Sequence, residues 1–456
     1  MCKVMMIYPY FLTNNRTNQI FHPLGISMIS SGLKDKGIEV MKLDCTFLTM
    51  EEALEIARDY NADITSIYVM TTMSQNALKL LEELRKINPK SLYITGGPLP
   101  SLYPERFAQK FDFVFAGEGA LSVPKFCYDY FEFMEKDALN KSMDKSAVVS
   151  KFFKGRDCSD YSGIYGYISG RDDFNLAGNS LISAHSVNLS EAEINALPLV
   201  DRSGFNHQRY QELSFENTGQ KSATIMMTYG CPFDCDFCSK PVFGNKVRFR
   251  EMDSIFREIR DIKNYGYDTL WIADDLFTLK DEYIATFCDR MNESNLKMKW
   301  SCLSRVDSIS PETARKMKLA GCEKVYLGIE SGSDAVLKLM NKHINIGKVK
   351  AGVDVFKNEG IECAGFFIVG YPGETVETIE TTFEFALSLG LDEISFNVPY
   401  PLPGSKLYSR VLDIKDDDWN FENETKFLYK SEFDQTWIRK RIEETLEKHS
   451  LNNMQL

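Results

Sequence analysis

Short apolar runs alternate with amphipathic stretches through the first 130 residues. VMMIYP is an apolar run ended by Pro9, and HPLGISMISSGLKDKG has helical spacing closed by Gly37. IEVMKLD and DITSIYVM read as further strands, followed by EEALEIARDY and NALKLLEELRKI as helices. SLYITGG runs into a Pro-punctuated turn, and FDFVFAG precedes a helix that begins near Glu118. Five strands alternating with helices predict a parallel, doubly wound sheet of flavodoxin- or Rossmann-like type over 1–130. Right-handed crossovers put every loop after a strand on one edge, and a ligand is expected there, where the strand order reverses.

Residues 131–221 are less regular. Charged and small polar residues rise over EKDALNKSMDKS, YSGIYGYISG suggests a hairpin, and INALPLVDRSGF is linker-like. This stretch reads as a connector with some structure of its own. From 222 to 410 the alternation resumes: ATIMMTY, TLWIAD, MKWSCLS, KVYLGIE, ECAGFFIVG and EISFNV are six strand candidates, with helical patterns such as SIFREIRDIKNYG, PETARKMKLAG and KVKAGVDVFKNEG between them. The expected fold is α/β throughout: the N-terminal sheet, then a partial (β/α)6 TIM-like barrel. Functional residues are expected at the C-terminal ends of the barrel strands. Residues 411–456 end in a charged helix, QTWIRKRIEETLEKHS, a short C-terminal helical segment.

A length of 456 residues suffices for two or three domains. The net charge of -12 argues against broad electrostatic capture of nucleic acid or anionic membrane. No apolar stretch approaches the roughly 20 residues of a membrane span, and MCKVMMIYPYF lacks a secretory leader's apolar core and cleavage site. A cytoplasmic protein is expected. Eleven cysteines in a chain this long do not form a small secreted disulfide scaffold. The five histidines, His22, His185, His207, His343 and His449, form no metal-binding spacing.

Three of the cysteines, Cys231, Cys235 and Cys238, sit in MTYGCPFDCDFCSKP, directly after the first barrel strand. A four-iron, four-sulfur cubane normally takes four cysteine ligands. Three on a tight loop leave one iron open to bind a small molecule and pass it an electron. A structural zinc site and plain burial of small apolar side chains compete with that reading, but zinc would want a fourth ligand and no His follows at finger spacing.

On these residues the chain resembles the radical S-adenosylmethionine (SAM) enzymes. CPFDCDFC matches their signature, including an aromatic, Phe237, before the last cysteine. ADDLFT, SCLSRVD, GIESGSDAVLKLMNK, FFIVGYPGET and YPLPGSKLY match later barrel segments in order, and HPLGISMISSGLKDKG, TGGPLPSLYPE and FVFAGEGA resemble the cobalamin-binding domain fused to such enzymes. The resemblance implies a cluster held by Cys231, Cys235 and Cys238, reductive cleavage of SAM to a 5'-deoxyadenosyl radical, and cobalamin as methyl carrier. The cofactors carry the hard chemistry, and the protein orients them and excludes water and oxygen. An oxygen-sensitive cluster favours an anaerobic setting, with flavodoxin or ferredoxin as electron donor.

The resemblance also implies cofactor contacts from residues with simpler competing roles. Asp274 and Asp275 would receive the ammonium of SAM, or cap a helix. Arg305 would hold its carboxylate, or pair with a barrel acid. Glu330 and Ser331 fall where ribose or amino-acid contacts belong, or start a helix. Gly370 would approach the adenine through backbone, or serve a turn. In the first domain Thr71, Thr72, Gly96, Gly97, Gly117, Glu118 and Gly119 would face the corrin, or serve turns. The sequence lacks the Asp-x-His-x-x-Gly of many cobalamin domains, and His22 does not fit it, so a bound cobalamin would lack that ligand; a domain that has lost cobalamin is the other reading.

The function expected is methylation of an unactivated carbon in a small molecule or peptide. A radical cyclase or rearrangement enzyme is the alternative. Transfer-RNA methylthiolation would need three further cluster cysteines, for which Cys2, Cys45 and Cys127 are wrongly placed. A non-catalytic cobalamin or redox sensor would not need the later barrel segments.

Overall fold

The computed structural model describes residues 2–12, 20–137, 139–140, 143–169, 179–414 and 426–453. The chain forms two compact units, Met1–Tyr210 with Pro241–Gly244, and Gln211–Lys240 with Asn245–Leu456. No described helix is long and apolar enough to cross a membrane.

The first unit is built on a seven-stranded sheet. Strands β1 (Lys3–Tyr8), β2 (Glu39–Asp44), β3 (Ile64–Tyr68), β4 (Leu92–Gly96) and β5 (Phe113–Phe115) are parallel and lie in the order β2-β1-β3-β4-β5. The order reverses at β1 and β3, which makes their C-terminal ends the switch point. Side chains alternate across the sheet. Val4 and Met6 enter one core with Leu33 and Phe126, while Met5 and Ile7 enter the other with Leu80 and Tyr93. Burial on both faces is why these strands read as unbroken apolar runs.

The stretch expected as a connector extends this sheet. β6 (Ile164–Ser169) pairs antiparallel with β5, and β7 (Asn179–Ser183) antiparallel with β6. Part of the 131–221 segment therefore belongs to the first unit's core: Phe152, Phe153, Tyr161 and Ile164 pack in one cluster with Phe113 and Phe126.

In the second unit, β8 (Ser222–Ile225) is followed by the short antiparallel pair β9 (Thr228–Tyr229) and β10 (Arg248–Phe249). Then come β11 (Thr269–Ile272), β12 (Lys299–Ser304), β13 (Cys322–Glu330), β14 (Glu362–Ile368) and β15 (Glu393–Asn397). β8 and β11 to β15 form one parallel sheet in chain order, the open six-stranded partial barrel expected. The intervening helices lay one apolar stripe on it. Ile255, Phe256, Ile259 and Ile262 are the buried apolar face of Met252–Asn264. The C-terminal segment belongs to this unit: Ile438 and Ile442 of helix Gln435–Asn453 join the barrel core, and Arg441 pairs with Glu380.

Gly352 marks the tightest helix-to-loop approach in this unit. A Cβ there would stand 1.9 Å from the carbonyl oxygen of Val306. Alanine gains up to about 1 kcal/mol in helix propensity, but overpacking against backbone costs about 1–3 kcal/mol. Gly352→Ala is expected to lower the urea midpoint of unfolding without changing the m-value.

Candidate active site

The cysteine loop begins where β9 ends and is fastened on three sides. The Asp236 N–H donates to the Met340 carbonyl at 3.0 Å, and the Leu407 N–H donates to the Asp236 carbonyl at 2.9 Å. The Asn341 side-chain amide donates to the Asp234 carbonyl at 2.7 Å. The Asp236 carboxylate takes Arg410 at 2.7 Å. Lys240, left-handed at φ 46°, turns its ammonium back onto the Cys231 carbonyl at 3.1 Å and the Phe233 carbonyl. Phe237 packs against the small cluster of Val336, Met340, Tyr371 and Leu407.

All three thiols are free, Cys231 and Cys235 half-buried and Cys238 exposed. Cys238 is accessible but recessed, and withheld water pushes its thiol up to about 11. Burial also raises Cys235, against the opposing pull of Lys342. Burial disfavours the thiolate at Cys235 and Cys238, and a metal must displace their protons to bind. Among the described residues no three His, Cys, Asp or Glu side chains converge as on a single ion. A four-iron cluster is larger and holds its thiolates farther apart, so three free thiols on one fastened loop suit it as a donor set.

Residues from four later strand ends surround the loop. Asp275 follows β11; its side chain is exposed but lies in a recess, where partial loss of water raises its carboxyl while Lys240 and Arg248 pull it down. Its neighbour Asp274 is fully buried. Its carboxylate accepts the Met227 N–H at 2.7 Å, and the Thr228 N–H and hydroxyl at 2.8 Å each. Asp274 ties β11 to the strand that carries the cysteine loop; it is not the helix cap that the sequence allowed.

Arg305, after β12, binds Asp307 through Nε at 2.9 Å and the Lys342 carbonyl at 3.1 Å. Its guanidinium lies 3.8 Å from the centre of the Phe233 ring, so it bridges an internal ion pair and the cysteine loop. Glu330, at the end of β13, is left-handed at φ 70° and buried, with Oε1 2.7 Å from the Lys342 ammonium. Ser331 is buried and bonded to Thr382, and it accepts the Ser333 N–H. It braces the start of helix Asp334–Leu339 from two residues before the cap position.

Gly370, after β14, faces the C-terminal segment: a Cβ would meet Phe427 at 2.6 Å and Ile438 at 2.9 Å, and its carbonyl accepts the Tyr429 hydroxyl. Beside it, burial raises the Glu374 carboxyl to about 7 while one oxygen accepts the Tyr371 N–H. Lys240 and Lys342 were not singled out in the sequence, and Tyr371 and Glu374 only as members of the YPGE turn. A lysine or glutamate among 118 charged residues (53 + 65) carries no local signal of where it points.

In the first unit, Thr71 and Thr72 form the turn after β3, Thr71 half-buried and Thr72 exposed, at the switch-point edge. The glycines beside them are filled by their own chain. Gly97, at φ 112°, would press a Cβ onto the Val69 carbonyl at 2.6 Å, and Gly117, at φ 77°, onto the Ser186 hydroxyl at 1.9 Å. Gly96 abuts the Phe115 carbonyl and Gly119 the Val123 side chain. Glu118 is buried and holds the following segment through Asn188 at 2.6 Å and the Leu189 N–H at 3.3 Å. His22 is buried, stacked on Phe205 and 3.0 Å from the Arg202 guanidinium. Burial, with Arg202 beside it, holds its imidazole well below its ordinary value.

A parallel six-stranded partial barrel with a three-cysteine loop after its first strand defines a radical SAM protein. The chain matches the Radical SAM superfamily over residues 225–386 and the B12 binding domain over residues 13–126. It is a radical SAM enzyme with an N-terminal B12-binding domain. An uncharacterised methyltransferase of Pyrococcus horikoshii is 26% identical over 396 residues, covering 86% of this chain and 78% of that protein. The cytidylyl-2-hydroxyethylphosphonate methyltransferase of Streptomyces wedmorensis is 23% identical, again over 86% of this chain and 78% of its own. The fold matches that of the radical SAM methyltransferase TsrM from Kitasatospora setae, solved with cobalamin and a [4Fe-4S] cluster, at a TM-score of 0.71 and 16% identity, over 89% of this chain and 77% of that one.

Proposed function

We propose that this enzyme transfers a methyl group to an unactivated carbon of a small molecule or peptide, drawing its electron from a flavodoxin or ferredoxin. The observation that carries the reading is the fastened loop of three free thiols in a chain that also holds a B12-binding domain. When bound, the cluster supplies an electron to SAM and cobalamin supplies a methyl group. Cys231, Cys235 and Cys238 hold the cluster. Asp275, exposed beside Cys238, offers an acceptor for the SAM ammonium, and Arg305 orients the loop through Phe233. Asp274 and Ser331 position backbone from beneath rather than touching ligand. At the switch-point edge of the first unit, Thr71 and Thr72 offer hydroxyls to a corrin. His22 is committed to Arg202 and Phe205, which fits a cobalt without that histidine ligand. Cys45 and Cys127 are buried in the first unit's core, which argues against a second cluster and with it methylthiolation.

Anaerobically reconstituted protein given dithionite and SAM is expected to release 5'-deoxyadenosine, read by chromatography. A reduced sample with a full cluster and no such product overturns the radical assignment. Protein expressed with hydroxocobalamin is expected to carry corrin absorption bands. A corrin-free spectrum overturns the methyl-transfer reading.

A further inference from the structure

Backbone strain is concentrated around the cysteine loop. Eight described non-glycine residues have positive φ, and four of them, Lys240, Glu330, Asn341 and His343, belong to the loop or to the two segments packed on it. Such conformations are sparsely populated outside glycine and persist where surrounding structure over-determines them. Three of the four converge on one side chain. Asn341 at φ 52° and His343 at φ 59° flank Lys342, and Glu330 at φ 70° is its ion-pair partner.

The turn at 340–343 runs along the loop. Met340 accepts from Asp236, Asn341 donates to Asp234, and the Lys342 ammonium lies 5.8 Å from the centre of the Phe237 ring. Lys342 and Glu330 are both buried, 2.7 Å apart. A Cβ on Gly328 would strike both, 2.7 Å from the Glu330 oxygen and 2.8 Å from the Lys342 nitrogen. Burying an ion pair costs desolvation that a well-packed apolar pair would avoid. Here that cost is paired with backbone strain on either side, and both place one cation against the cysteine loop.

We propose that Lys342, held by Glu330, is a positioning residue that raises the reduction potential of the cluster bound by Cys231, Cys235 and Cys238. The proposal rests on the cluster assignment above. Reduction adds one negative charge to the cluster, and a nearby buried cation favours that state more than water would. Net charge around the sulfurs is among the settings of such potentials. Glu330 acts with the opposite sign.

The test is an EPR-monitored redox titration of the reconstituted full-length protein without SAM, with iron counted in each sample. Poised at the wild-type midpoint, Lys342→Met is expected to hold about tenfold less reduced relative to oxidised cluster, a fall of 59 mV for one electron. Glu330→Gln is expected to shift the ratio the other way, and Lys342→Arg to stay near wild type. A structural role would not move the potential in opposite directions for the two partners. Equal potentials, or shifts of the same sign, at full iron content overturn the proposal. If Lys342→Met does not retain iron, Glu330→Gln carries the decision, and an unraised potential there is the overturning result. Wild-type protein that forms no cluster refutes the assignment beneath; wild type with a normal cluster and unmoved variants refutes this inference alone.

Discussion

Replacing Cys231, Cys235 and Cys238 together by alanine is expected to take the reconstituted protein from about four irons per chain to background, and 5'-deoxyadenosine formation with it. The fold should survive. The loop is fastened by backbone and charged partners (Asp236 to Met340 and Arg410, Asn341 to Asp234, Lys240 to the Cys231 carbonyl) and by packing of Phe237, none of which uses a cysteine sulfur. Far-UV circular dichroism and the thermal transition of the apo protein should therefore match wild-type apo protein. Iron retained at wild-type level in the triple variant would refute the assignment of these ligands.

The second large effect is expected from Asp274→Ala, and it is one of stability. The carboxylate accepts three hydrogen bonds in a fully buried place. Removing it strands the Met227 and Thr228 N–H groups, each costing about 1–3 kcal/mol, for roughly 3–5 kcal/mol in all. Asp274→Asn keeps the size but sets an NH2 against a donor, so its loss should be smaller. Denaturant unfolding of the three proteins checks the order. Because Met227 and Thr228 lead into the cysteine loop, iron loading should fall in Asp274→Ala even though Asp274 is not a ligand.

The pH dependence follows from the same residue. Burial raises the Asp274 carboxyl to about 7, and Glu374, raised for the same cause, also lies at about 7. Between the unfolded carboxyl range near pH 4 and pH 7 the folded state binds more protons than the unfolded one. Their contribution to stability is therefore full below about pH 4 and is lost as pH rises through 7. Asp274→Asn and Glu374→Gln should each flatten the decline in apo-protein stability between pH 5 and 8. A slope unchanged in both would refute the assignment of these two groups.

Much of the fold was legible from period alone. The apolar runs VMMIYP and DITSIYVM became β1 and β3, buried on both faces, because such a run can only be satisfied in a sheet covered twice. The two added strands were harder to place. IYGYIS suggested a hairpin, but nothing local says that it will join β5 rather than stand apart. The cysteine loop was readable because its ligands are close in sequence, where spacing is geometry. Asp274 was readable as a strand-end acid but not in its role: a carboxylate that braces backbone and one that meets a ligand look alike until burial separates them.

Gly370 shows the same limit. The YPGE turn was visible, but Phe427 and Ile438, the side chains that leave no room for a Cβ there, come from a segment far along the chain. The element types, the parallel order of the barrel strands and the three-thiol loop follow from local pattern, since periodicity and close spacing act over a few residues. The partners of Arg305, Glu330, Lys342 and His22 were decided in three dimensions. Charge pairing and burial depend on which distant segments meet, and Lys342 meets Glu330 and Phe237 from a turn with a left-handed residue on either side.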